Sequence, residues 1–132
     1  MFADHFAFQV SDLDASIDFY QQKLELGLMS KTVDEEHHEA FAFLKLEGCN
    51  IELLQLLDEQ NNPVPVPQKE IKPPYSPHIA IGTKDLNGLV QQLKASDIEI
   101  IKGPMLIPDM VTWLYIADPD NNVLEFVQWL NQ

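Results

Sequence analysis

The chain has 132 residues, enough for one folded domain that buries roughly two thirds of the surface its unfolded form exposes. Hydrophobic residues at 45% and charged residues at 22% exclude a disordered tail and a low-complexity fibre. Eight lysines against 21 acids give a net charge of -13, and there is no arginine, so the field repels phosphate backbones and anionic bilayers. Nucleic acid and membrane are therefore excluded as expected partners. Cys49, the single cysteine, permits no intrachain disulfide and reads as a small buried apolar residue in a reducing compartment. Met1 leads into Asp4 and His5 without a basic and then apolar leader, and no run approaches about 18 apolar residues, so a cytoplasmic location is expected.

Phe2 to Val10 reads as a buried strand closed by Ser11 and Asp12, either of which can cap a following helix. Leu13, Ile17, Tyr20 and Leu24 then recur at helical spacing up to Gly27, which predicts a helix of about four turns. Leu28 to Val33, Glu39 to Leu46 and Asn50 to Leu57 read as strands, the last two joined by a turn at Glu47, Gly48 and Cys49. Residues 58–76 hold most of the nine prolines and no apolar period, the mark of a connector. Beyond it, Pro77 to Thr83 is strand-like, Asp85 to Ala95 helical, and Ile98 to Lys102, Trp113 to Ala117 and Val123 to Leu130 are strands. The expected class is α+β: two tandem βαβββ modules, 1–57 and 77–132, forming a curved, partly closed mixed β-barrel with helices outside.

Shifting the chain by 73 residues, the distance from His5 to His78, superposes the two halves. His5 falls on His78, Ala7 on Ala80, Asp12 on Asp85, Glu52 on Glu125 and Gln55 on Gln128. Each half thus carries a His in its first strand and a Glu in its last. Pseudo-symmetry predicts that His5, Glu52, His78 and Glu125 converge, a set of two imidazoles and two carboxylates suited to one divalent cation with positions left for water or substrate. Both glutamates stand within apolar runs, where a carboxylate needs a partner such as a metal. His37 and His38 lie in the acidic stretch Asp34 to Glu39 and are expected to be exposed and off the metal.

The first-strand His, the segment Leu13-Asp14-Ala15-Ser16-Ile17-Asp18-Phe19-Tyr20 with Leu24-Glu25-Leu26-Gly27-Leu28, and the late Asp118-Pro119-Asp120-Asn121-Asn122-Val123-Leu124-Glu125 resemble the vicinal oxygen chelate superfamily. Glyoxalase I is the branch most similar, because Glu52 supplies an acid where other branches lack one. Asn121 stands where the family's turn has Gly, and Asn tolerates positive φ. The resemblance implies a lyase or isomerase that uses one divalent ion (Ni, Zn, Co, Mn or Fe). Glu125, or Glu52, would take the proton from a hemithioacetal or related α-oxygenated carbonyl compound to give an enediolate. It also implies a homodimer. The same fold is expected, in the alternatives, to sequester a small molecule or to act as an extradiol-type dioxygenase.

Strand parity places Ala7, Gln9, Ala80 and Gly82 beside the histidines and Leu54, Val127 and Trp129 beside the glutamates, an apolar pocket with room for a small substrate. Gln9 holds the position where the resemblance implies an Arg for a glutathione carboxylate. No lysine lies in the strands of His5 or His78, so a less anionic thiol adduct is expected to be the better substrate.

Overall fold

A computed structural model describes residues 1–131 and divides the chain into two compact units, Met1–Lys69 and Glu70–Gln132. The first contains β1 (His5–Gln9), α1 (Leu13–Asp18) continued by a π-helical turn (Phe19–Lys23), β2 (Gly27–Asp34), β3 (Glu39–Lys45) and β4 (Asn50–Leu56). The second contains β5 (His78–Gly82), α2 (Leu86–Ala95), β6 (Lys102–Ile107), β7 (Val111–Ala117) and β8 (Val123–Trp129). Each unit is a βαβββ module with one four-stranded mixed sheet, ordered β1-β4-β3-β2 and β5-β8-β7-β6. The outer pair β1–β4 is parallel, as is β5–β8, and the other pairs are antiparallel. The fold class is α+β.

The 73-residue offset is written into the hydrogen bonds. His5 pairs with Asn50 and His78 with Val123; the amide of Val10 donates to Leu54 O and that of Thr83 to Val127 O, both at 2.9 Å. Asp12 accepts from the Ala15 amide at 3.1 Å and Asp85 from the Gly88 amide at 2.9 Å, so each helix starts on an aspartate N-cap. Gln55 donates to Ser11 O, while Gln128 donates to Lys84 O and accepts from the Leu86 amide. In both units the last strand is thereby pinned to the loop that opens the helix.

One sheet face is packed and the other is open. In the first unit Phe8, Ala42, Leu44, Ile51 and Leu53 are buried on the side where Leu13, Ile17 and Tyr20 of the helical segment are also buried. Ile79, Leu114, Ile116, Leu124 and Phe126 hold the same place in the second unit, with Leu86, Val90 and Leu93 from α2. Apart from Val111 and Val123, which are buried at the starts of β7 and β8, the alternate residues of these strands are half-buried or exposed, as period-2 side-chain alternation predicts. The proposed site residues belong to this open set.

Three boundaries depart from expectation. The first helix is not four α turns: Leu24 N bonds Phe19 O at 3.2 Å, an i to i+5 pattern, and the turn away from the helix falls at Glu25, with φ 59°, before Gly27. The wider turn keeps both Tyr20 and Leu24 buried. The strand expected at Ile98 to Lys102 runs instead over Lys102–Ile107, across Gly103 and Pro104. Both breakers are tolerated because β6 ends the sheet order and bulges between Lys102 and Met105. Gly103 has φ 101°, and a Cβ there would lie 2.8 Å from Trp113 O, so only glycine fits. The first strand begins at His5, leaving Phe2 exposed, and Cys49 is half-buried rather than buried. Asn121 has φ 60°, and the Asp118 carboxylate beside it accepts the Asp120 and Asn122 amides, each at 2.9 Å.

Candidate functional site

In the first unit, Glu52 sits on β4 directly across from Ala7 of β1 on one side and Phe43 of β3 on the other. His5 Nε2 lies 3.6 Å from Glu52 Oε1, and its Nδ1 is 2.6 Å from Asp4 Oδ1. The hydrogen bond to Asp4 raises the His5 pKa; partial desolvation opposes this, and the charges of Glu52 and Asp4 add to it. The ring of Phe43 meets the imidazole edge-on, with centroids 5.2 Å apart.

The second unit repeats the arrangement. Glu125 of β8 lies across from Ala80 of β5 and Tyr115 of β7. His78 Nε2 is 3.2 Å from Glu125 Oε1, and its Nδ1 is 3.0 Å from the carbonyl of Tyr75. Tyr115 meets the imidazole at 5.4 Å and stacks on Tyr75 at 4.7 Å.

A backbone carbonyl only accepts hydrogen bonds, so His78 Nδ1 carries a proton, and Nε2 on the other side of the ring points at a carboxylate oxygen 3.2 Å away. A ring nitrogen and a carboxylate at that separation share a cation, either a proton or a metal ion. His5 is held in the same sense, with a carboxylate behind it in place of the carbonyl. Two donors each about 2.1 Å from one ion stand about 3.0 Å apart at a right angle and about 3.4 Å apart at a tetrahedral one. The His78–Glu125 separation of 3.2 Å falls in that range and the His5–Glu52 separation of 3.6 Å lies just beyond it, while the Asp4 carboxylate and the Tyr75 carbonyl hold the two rings from behind.

The structure therefore brings His5 to Glu52 and His78 to Glu125. Among the described residues, no cluster of three or more His, Cys, Asp and Glu side chains is close enough to hold an ion. Ala7, Gln9 and Leu54 share the open face of the first sheet with Glu52, and Ala80, Gly82, Val127 and Trp129 that of the second with Glu125. A hollow of about 360 Å³ in the first unit is bordered by Ser11, Asp14, Lys31 and Asn61, away from the His–Glu pair. His37 bonds Asp34 and His38 bonds Asn61, each through Nδ1 at 2.8 Å.

Three residues escaped the sequence pattern. Phe43 and Tyr115 face the two glutamates from equivalent strands yet lie one residue off the repeat, because the turn before β8 is one residue longer than that before β4. A single gap in the repeat comparison would have exposed them. Lys102 pairs with Tyr115 and so sits in the cross-strand row that holds Glu125 and Ala80.

Residues 3–126 match the family model described as Glyoxalase/Bleomycin resistance protein/Dioxygenase superfamily. The chain is 30% identical over 129 residues to a probable lactoylglutathione lyase of Vibrio cholerae, covering 94% of this chain and 88% of that one. It is 34% identical over 127 residues to the metallothiol transferase FosB of Staphylococcus epidermidis, covering 92% and 78%. Among solved structures, that of SMU.1112c superposes with a TM-score of 0.79 at 23% identity, covering 95% of this chain and 96% of that one, a likeness of fold. No helix among the described residues is long and apolar enough to cross a membrane. With its paired βαβββ units and a His–Glu pair in each, the chain belongs to the glyoxalase, bleomycin resistance protein and dioxygenase superfamily.

Proposed function

We propose that this protein is a divalent-metal enzyme of the glyoxalase I type, acting on a hemithioacetal or a related α-oxygenated carbonyl compound, with His5, Glu52, His78 and Glu125 as ligands. The observation that carries this reading is His78 Nε2 placed 3.2 Å from Glu125 Oε1, with His5 Nε2 in the equivalent place 3.6 Å from Glu52 Oε1. When bound, the ion polarises the carbonyl and the oxygen next to it. A glutamate carboxylate takes the proton from the carbon beside the carbonyl and returns it to the neighbouring carbon, so the change is redox-neutral within the substrate. Ala7, Ala80 and Gly82 leave space beside the ligands, and Leu54, Val127 and Trp129 supply apolar surface. The working form is a cytoplasmic homodimer. The 34% likeness to a metallothiol transferase supports a second reading, addition of a metal-activated thiol to an electrophile.

Elemental analysis of the protein, followed by assay with methylglyoxal adducts of several thiols, tests the reading. The expected result is about one divalent ion per site, released on His78→Ala or Glu125→Ala, and isomerisation dependent on that ion. Equal metal in the wild type and both variants would overturn the ligand set. Metal with thiol addition but no isomerisation would favour the second reading.

A further inference from the structure

His5 and His78 occupy equivalent places in the repeat, yet their Nδ1 atoms are held by different means. Behind His5 stands the side chain of Asp4, the residue just before it. The 73-residue offset puts Pro77 in the place of Asp4, and proline has no side-chain acceptor. The carbonyl of Tyr75 takes over, accepting from His78 Nδ1 at 3.0 Å. The same offset sets Tyr75 against Phe2, which is 85% exposed and precedes the first strand. Tyr75 is instead half-buried, while Lys72, Pro73, Pro74, Ser76 and Pro77 around it are exposed. Its ring stacks on Tyr115 of β7, with centroids 4.7 Å apart and planes tilted by 34°. Its amide donates to Lys72 O at 2.8 Å, within the loop itself, and Pro73, Pro74 and Pro77 offer no N–H with which to tie the loop to the sheet. Tyr75 has φ 64°, a left-handed conformation that an aromatic residue rarely takes unless its surroundings enforce it.

We propose that Tyr75 is a positioning residue: its ring, stacked on Tyr115, holds its own carbonyl against His78 Nδ1 and thereby aims Nε2 at the ion beside Glu125. The ion rests on the metal-site reading above; the hydrogen bond behind the imidazole does not. An acceptor behind a ligating imidazole sets which nitrogen carries the proton and how the ring is turned, and its loss costs about tenfold or more in metal affinity. The ring and the carbonyl of Tyr75 carry this role, and its hydroxyl has no part in it.

The test follows the full-length protein in two ways: ¹⁵N NMR of the metal-free form, which reports the proton on His78 Nδ1 and its exchange with water, and Co²⁺ affinity by competition with a chelator. Tyr75→Asn removes the ring with a residue that accepts positive φ, so the turn survives. It is expected to speed exchange of the Nδ1 proton and to weaken Co²⁺ binding about tenfold, with little change in the unfolding midpoint. Tyr115→Leu removes the stack from the other side and should reproduce both effects. Tyr75→Phe keeps the stack and is expected to match the wild type, and Phe2→Asn, at the equivalent place in the repeat, to change neither readout. A metal-free wild type whose His78 carries no proton on Nδ1 overturns the proposal. So does a Tyr75→Asn protein with wild-type Nδ1 exchange or, where the wild type binds Co²⁺, wild-type affinity; a fall in stability alone would mean that Tyr75 only packs. If the wild type binds no Co²⁺, the metal-site reading fails, and the exchange rates of the metal-free proteins still decide the role of Tyr75.

Discussion

On the proposed function, Gln9 and Lys102 are the side chains whose charge, or lack of it, bears on an anionic substrate. Gln9 is on β1, across from Leu54, and brings no charge to the open face of the first sheet. Lys102 lies one strand beyond Tyr115 in the row that contains Glu125, and it is exposed. Lys102→Ala is expected to raise KM for the methylglyoxal–glutathione adduct about fivefold, the worth of one exposed charge contact, and to leave an uncharged thiol adduct nearly unaffected. Gln9→Arg is expected to improve kcat/KM for the glutathione adduct about tenfold. Steady-state kinetics with both adducts measures this, and equal effects on the two would show that neither side chain meets the charge. The sequence made the four His and Glu positions legible because they share one offset. Lys102 was not legible, since only the strand register across Gly103 and Pro104 reveals its row. The hydrogen bonds behind the imidazoles come from Asp4 and from the Tyr75 carbonyl, unrelated in kind, so no repeat could announce them.

At the level of elements, the helix starts were readable and the helix ends were not. Asp12 and Asp85 cap their helices as the Ser-Asp and Lys-Asp steps before apolar residues suggest, while the π-helical turn at Phe19–Lys23 leaves no mark in apolar spacing. The two caps have nearly the same geometry, and each satisfies an otherwise unpaired amide of the first turn. Asp12→Ala and Asp85→Ala are each expected to cost about 1 kcal/mol in denaturant unfolding, and to add when combined, because the caps share no partner. Strand β6 was displaced by several residues because Gly-Pro reads as punctuation; an edge position with a bulge admits both residues.

For the whole molecule, charge and connectivity set the behaviour. A chain of 15.1 kDa at -13 repels its own copy, so the proposed homodimer forms against a long-range field. Raising salt from about 0.01 M to about 0.15 M shortens the Debye length from about 30 Å to about 8 Å, and should tighten dimerisation in sedimentation experiments; weakening would mean that opposite charges pair across the interface. The segregation of strands has a kinetic and proteolytic meaning. Parallel pairing closes one long loop in each half, from His5 to Asn50 and from His78 to Val123, each spanning 45 residues, so the two halves face the same closure entropy. No such loop passes through the bond between Lys69 and Glu70, both exposed. A tryptic cut there opens none of the closed loops, and the nicked chain is expected to keep the far-ultraviolet circular dichroism of the intact one. Collapse of that signal on cleavage would show that the halves depend on chain continuity, although no named strand pair requires it.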